Sequence, residues 1–191
     1  EVQGGGLVSR AGFLEITRAD GNPVMEVGYH GQDHNLFLTS MVRNNGNLYA
    51  VGAWNLNAGN EGRPFFAKIS PTTLWPEWAQ TQKPDVSAGK WLTASDIAFD
   101  SEFAIIAGTG DDDLTTPTEG VYLFLEKHHS DGSLAWMKRY DIAMAAEEVV
   151  TITNAYIVFG RMVGSNRYGM LKTDVNGNVL EARELTAAPP S

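Results

Sequence analysis

The hydrophobic positions of this chain fall in short runs that are separated by Gly, Pro, Asn and Asp. The clearest example spans residues 168–180, where apolar and β-forming residues flank Asn176-Gly177. An Asn-Gly pair between two such runs is the strongest local signal of a β-hairpin, because a type I′ turn needs two central residues with positive φ. The pattern therefore predicts strands that are joined by tight turns.

This hairpin pattern occurs four times, each copy with a turn between two apolar runs. The spacing between turns is roughly 45–60 residues, which matches the length of one four-stranded propeller blade. The turns are anchored on Gly21, Thr73, Gly132 and Gly177, of which Thr73 marks a degenerate copy.

A second pattern precedes each of the last three hairpins. It is an apolar run that ends in Gly and follows another short β-like run. Two patterns that recur in the same order predict a unit of four strands, and a continuous apolar run indicates a strand covered on both faces. The Gly-ended runs span residues 47–52, 102–108 and 155–160, and the runs before them span 36–42, 91–99 and 149–153.

We therefore predict an all-β fold, a β-propeller-like repeat of four-stranded antiparallel blades with about three and a half blades present. A closed ring needs at least about four blades, so the missing strands are expected from sequence or a partner outside this chain. A β-sandwich is the alternative. Segment 141–148 has a helix-forming composition and is given at most one helical turn. The predicted domain spans residues 1–186, with a half unit at 1–32, units at 33–84, 85–142 and 143–186, and a tail or linker at 187–191.

Composition narrows the classes of partner. The chain has 191 residues and a net charge of −9, which disfavours nucleic acid and anionic membranes as partners. No apolar run approaches the roughly 18 residues of a membrane span, so no membrane insertion is expected.

The chain has no cysteine, which excludes disulfides, thiolate metal sites and cysteine nucleophiles. Its first methionine is Met25, so we expect a removed signal peptide or a larger upstream piece, and a secreted, periplasmic or cell-surface location.

The hairpin residues also carry a resemblance to a known family. The last unit has Leu171-Lys172-Thr173-Asp174, Asn176-Gly177-Asn178 and Leu180, and the unit before it has Lys127, Asp131-Gly132, Leu134 and Trp136. These hairpins resemble those of bacterial β-propeller repeat proteins with a Leu-x-Lys-x-Asp-x-x-Gly-Asn-x-Leu-Trp motif. Glu181 replaces the Trp of that motif in the last unit, and Ile16 replaces its Lys in the first. The resemblance implies a secreted or cell-surface module that binds or acts as a scaffold.

The preferred ligand-binding candidate is Trp54, which lies just after the Gly-ended run 47–52. It is expected at the mouth of a loop, residues 55–63, that contains Asn55, Asn57 and Asn60. An aromatic ring beside amide side chains can bind a glycan or a peptide by stacking and hydrogen bonding. Burial of Trp54 on its own sheet is the alternative interpretation.

Asp111, Asp112 and Asp113 form a candidate metal site, since clustered carboxylates on a loop can hold Ca²⁺. The frame of a calcium-binding loop is missing, so solvated loop charge is the alternative. No other cofactor is predicted.

The remaining candidate groups are weaker. His30 and His34, with Asp33 between them, have the spacing of paired ligands on a helix, but the neighbouring glycines favour a loop. His128 and His129 are expected at an exposed turn, with side chains on opposite faces of the sheet. Glu147 and Glu148 are adjacent on a predicted strand and should diverge for the same reason.

No nucleophile elbow, phosphate-binding loop or dinucleotide fingerprint is present in the sequence. A non-catalytic binding or structural module of a secreted or cell-surface protein is therefore the preferred function. Its partners would be a protein or the missing part of the same polypeptide, with a glycan as a further candidate ligand. The alternative is a propeller-fold enzyme that acts on glycans through loop carboxylates.

Overall fold

The computed structural model describes residues 12–17, 23–29, 34–56, 61–81, 91–112 and 119–185. In this part of the chain every regular element is a β-strand, and no helix is present that could cross a membrane. The strands are β1 (Gly12–Thr17), β2 (Pro23–Tyr29), β3 (His34–Asn44), β4 (Asn47–Leu56), β5 (Glu61–Ile69), β6 (Pro76–Thr81), β7 (Trp91–Asp100), β8 (Phe103–Asp111), β9 (Val121–His128), β10 (Leu134–Tyr140), β11 (Met144–Ile152), β12 (Ala155–Met162), β13 (Tyr168–Asp174) and β14 (Val179–Leu185).

Twelve of these strands form three open antiparallel sheets of four strands each, in the orders β3-β4-β5-β6, β7-β8-β9-β10 and β11-β12-β13-β14. We refer to them as the first, second and third sheets. The strands β1 and β2 form a separate hairpin. The prediction of an all-β chain built from four-stranded antiparallel units is confirmed. Segment 141–148, for which the sequence allows one helical turn at most, has no helical turn, because β11 begins at Met144 and pairs with β12 from that residue onward.

The tight turns differ from the sequence prediction in their type. Asn45 and Gly46 have φ values of 48° and 82°, which suits a type I′ turn between β3 and β4. At the predicted type I′ turn of Asn176-Gly177, only the glycine has positive φ. The Gly177 amide donates to the Asp174 carbonyl at 3.0 Å, and the strand register shifts beside this turn. It is therefore a longer, bulged hairpin rather than a two-residue turn.

Each of the three sheets has a β-bulge at the same place in its first strand. The register shifts by one residue between the first strand and the second, opposite the Gly that ends each predicted apolar run. A bulge inserts one extra residue and bends the strand. The inserted residues are Thr39, Ser95 and Glu147, and the glycines opposite are Gly52, Gly108 and Gly160.

These bulges explain why glycine recurs. At each glycine, a Cβ atom would overlap a carbonyl oxygen of the bulged strand, at 1.7, 2.4 and 2.1 Å for Gly52, Gly108 and Gly160. Such distances leave no room for any side chain. The prediction that strands end at these glycines is wrong, because each strand continues past its glycine to Leu56, Asp111 or Met162.

The sheets pack face to face in chain order. In the second sheet, Ile105 and Ile106 are adjacent on β8 and are both 0% exposed, so both faces of that sheet are covered. Ile106 belongs to the core between the first and second sheets, and Ile105 to the core between the second and third. The continuous apolar run of β8 is therefore explained by burial on two sides.

Trp residues on the last strands join neighbouring sheets at their outer rims. Trp78 of β6 lies against Gly132 in the β9–β10 turn, and Trp136 of β10 lies against Gly177 in the β13–β14 turn. In both cases a Cβ atom on the glycine would lie 3.0 Å from the indole ring. Thus the two motifs that recur in the sequence, the turn glycine and the strand Trp, contact each other across sheets.

Candidate functional site

The connections β4–β5, β8–β9 and β12–β13 share one end of the sheets, and the nine residues between β8 and β9 are the longest connection within a sheet. Turns β3–β4, β7–β8 and β11–β12 lie at the opposite end and are two residues long. Neighbouring sheets are aligned, because Gly62 at the start of β5 lies against Trp91 at the start of β7. We call the end that carries the connections β4–β5, β8–β9 and β12–β13 the loop end. Residues on loops held by a rigid scaffold are the common location of binding sites, so this end is the candidate functional surface.

Trp54 lies at the loop end, but within β4 rather than in a loop. Its ring stacks on Phe65 with centroids 6.4 Å apart, and it is half-buried against the core of the first sheet. The strand extends past Gly52 because β4 pairs with β5 as far as Leu56. The Trp54 ring is therefore held in place by Phe65 and is partly exposed, so it can stack against a ligand.

Asn55 pairs with Gly62 across the β4–β5 ladder and so also lies on the strand. Asn57 and Asn60 lie outside the described residues. The prediction that these amides assist Trp54 in binding a glycan or peptide stays a prediction.

Two of the three predicted calcium residues lie at the loop end of the second sheet. Asp111 ends β8, Asp112 follows it, and Asp113 lies outside the described residues. The Asp112 carboxylate accepts from the Arg139 guanidinium at 2.5 Å, and Arg139 also donates to Asp141 at 2.8 Å. Within the described part of the chain, no group of three metal-ligating side chains is brought together. Since Arg139 occupies one Asp112 oxygen, calcium would have to compete with it, and the site stays a prediction.

Arg139 also lies over the ring of Tyr122, 3.8 Å from its centroid. Burial acts to lower the pKa of Arg139, but the hydrogen bonds that it donates to Asp112 and Asp141, together with the charges of these carboxylates, outweigh burial and raise the pKa above its usual value. Burial, followed by the charge of Asp112, raises the pKa of Tyr122. The cluster thus keeps Arg139 charged and Tyr122 neutral, and it joins Asp112 to β9 and β10 at the loop end.

Of the histidines, His129 is placed as predicted and His128 is not. His30 and Asp33 lie outside the described residues, and His34 begins β3, so the helical spacing does not apply. His129 is exposed and contacts the Phe103 ring at 5.0 Å. The prediction of an exposed turn is wrong for His128, which ends β9 and is 0% exposed, because its side chain points to the first sheet and contacts Phe66.

His128 forms a buried pair with Glu126 that sequence reasoning missed. Its Nε2 lies 2.8 Å from Glu126 Oε2, and its Nδ1 lies 3.0 Å from the Gly132 carbonyl oxygen. Glu126 Oε1 is buried and has no hydrogen-bond partner among the described residues. The alternation of β9 placed both residues on one face, but only the neighbouring sheet buries that face.

A second missed residue is Asp96, which directly follows the bulge in β7. Its Oδ1 accepts from the Ser40 hydroxyl of the first sheet at 2.6 Å, and its Oδ2 accepts from the Val149 amide of the third sheet at 2.9 Å. One carboxylate thus joins the first strands of three sheets. The sequence signal for this role is an acidic residue in the middle of a strand, between the apolar residues Ala94 and Ile97.

Comparison of the sequence with protein-family models and with curated proteins finds no match. Function is therefore inferred from the geometry of the molecule.

Proposed function

We propose that this chain forms consecutive blades of a β-propeller and serves as a non-catalytic binding or structural module of a secreted or cell-surface protein. The ring would be completed by strands outside the described residues, from the same polypeptide or from a partner. Its loop end would provide the contact surface.

The contacts of Asp96 are the observation that carries this proposal. Because Ser40 and Val149 bind the two oxygens of one carboxylate, the first strands of the first and third sheets converge. In a flat stack of three sheets, the outer two would lie roughly 20 Å apart along their whole width, given a spacing of about 10 Å per layer. Convergence at the first strands supports blades that radiate from a common axis, as in a propeller.

Pairs of spin labels test this arrangement, since the chain has no native cysteine to interfere. One pair, Arg43→Cys with Ile152→Cys, labels the first strands of the first and third sheets, and a second pair, Glu77→Cys with Glu181→Cys, labels their last strands. We expect the first distance to be well below the second. Two similar distances of about 20 Å would contradict the radial arrangement and favour a layered stack.

The binding role is tested at Trp54. We expect that Trp54→Leu lowers the signal of the chain on a glycan array roughly two- to tenfold, because a stacked aromatic ring contributes about 0.5–1.5 kcal/mol beyond the area that it buries. Trp75→Leu is the matched control, because Trp75 is 63% exposed and follows the β5–β6 turn at the opposite end of the first sheet. An array with no signal for the unmodified chain, or equal losses for both variants, would contradict glycan binding at Trp54.

A further inference from the structure

The third sheet has one face that no described residue of another sheet covers. We call this the far face, and it is the side turned away from the second sheet. The bulge and its glycine align the three sheets, so equivalent positions can be compared. Ile157 and Phe159 of the far face are half-buried, whereas all equivalent residues of the first two sheets are at most 3% exposed, namely Tyr49, Val51, Ile105 and Ala107.

Glu148 holds the position in the third sheet that Asp96 holds in the second. Each directly follows the residue inserted by the bulge. Asp96 accepts the Val149 amide of the following sheet, whereas Glu148 is exposed to solvent. A carboxylate at this position on an uncovered face matches the acceptor that the second sheet presents to the third.

Arg183 provides a further match at the outer rim. Lys138 pairs with Leu125 in the second sheet, and its ammonium donates to Asn178 in the β13–β14 turn of the next sheet at 2.8 Å. Arg183 pairs with Met170 in the same register and is exposed. The Trp of the second sheet is replaced by Glu181, so contact at this rim would depend on Arg183 rather than on an indole ring.

We infer that the far face docks a further four-stranded antiparallel sheet of the same repeat, with Glu148 accepting a backbone amide from the bulged first strand of that sheet. This inference rests on the proposed blade arrangement, and it names the partner of one face. Continuity identifies the occupant, because the chain already forms this kind of interface twice. Each has an apolar centre and a hydrogen bond to the Asp96 carboxylate beside the bulge, from the Ser40 hydroxyl in the first interface and from the Val149 amide in the second.

An extended chain tests the inference. Residues 141–185 are repeated directly after Leu185, so that the added β11–β14 copy can follow the third sheet as the third follows the second. The added copy carries leucine at the position of Phe159, so that the labelling reports the original ring alone. We expect hydroxyl-radical labelling of Phe159 to fall at least fivefold relative to the natural chain, with labelling of Trp75 unchanged, and the urea midpoint to rise.

Variants of Glu148 in the original third sheet test the acceptor. Glu148→Ala should reverse the rise of the urea midpoint in the extended chain and leave the natural chain unaffected. Glu148→Gln, which keeps an acceptor oxygen, should retain most of that rise. Glu102→Ala, at an exposed turn, should change neither chain.

Unchanged labelling of Phe159 in the extended chain would overturn the docking. Protection of Phe159 with no dependence on Glu148 would overturn the assigned acceptor. Protection that already occurs in the natural chain and increases with protein concentration would identify a second copy as the occupant instead. None of these outcomes depends on the spin-label distances, so failure of the docking is distinguishable from failure of the radial arrangement.

Discussion

Replacing Gly52 with alanine is expected to destabilise the chain by at least about 3 kcal/mol, which is a large part of the stability of a single domain. A Cβ atom at this position would lie 1.7 Å from the Phe37 carbonyl oxygen and 2.7 Å from its carbon. Both atoms belong to the backbone of the bulged strand β3, so no rotamer change can relieve the overlap. The first strand would have to move away from β4, which would disturb the Asp96 contacts beside the bulge.

Urea denaturation of the two proteins measures this loss. Gly46→Ala is the matched control, because a Cβ atom on Gly46 would meet no other atom within 4 Å, although the φ of this residue is 82°. It should cost only about 1–2 kcal/mol, from the left-handed backbone alone. If Gly52→Ala costs no more than Gly46→Ala, the close approach at the bulge does not occur in solution.

The second large effect is expected at the buried pair of Glu126 and His128. We expect His128→Ile to destabilise the chain by about 3–5 kcal/mol, because it leaves the Glu126 carboxylate buried without a partner. Glu126 is 1% exposed, and one of its oxygens already lacks a hydrogen-bond partner among the described residues. The measurement is again the free energy of unfolding in urea.

Two further variants separate the charge from the packing. The double variant Glu126→Leu/His128→Ile introduces the residue types that the repeat places at these positions in other sheets, Leu171 and Ile69. It should recover most of the loss, since an apolar pair often replaces a buried ion pair at no net cost. Glu126→Gln should stay within about 1 kcal/mol of the unmodified chain, because an amide can donate to Nε2 while Nδ1 donates to Gly132. A double variant as unstable as His128→Ile would contradict the role assigned to the buried charge.

Much of the architecture could be predicted from the sequence, because it depends on local rules. Short apolar runs, turn glycines and a repeated order specify strands, hairpins and units of four, since strand alternation and positive φ are properties of a few neighbouring residues. The continuous apolar run of β8 also indicated burial on both faces, and Ile105 and Ile106 confirm it. The prediction of where the second strand of each unit ends was wrong, although it also used a local pattern. The glycine after each apolar run reads as the end of a strand, yet Gly52 lies inside β4 because of a bulge on the neighbouring strand.

The candidate sites were less predictable, since the burial and the contact partners of their side chains depend on residues that are distant in sequence. The sequence predicts a loop at Trp54, whereas the structure places this residue within β4 with its ring stacked on Phe65. The sequence also does not show that Arg139 binds the Asp112 carboxylate, and the calcium site stays a prediction. The sequence predicts that His128 is exposed, whereas the structure buries it against Phe66 of the first sheet.

The sequence by itself determined the strands, their grouping into fours and the turns that join them, because each follows from residues near one another in the chain. Only the tertiary structure decided three features: the close approach of the bulged strand that requires the recurring glycine, the burial of His128 and Glu126, and the hydrogen bonds by which Asp96 joins three sheets. The physical reason is that burial and hydrogen-bond partners depend on which faces meet, and those faces belong to residues about 40 to 60 positions apart, the length of one repeat.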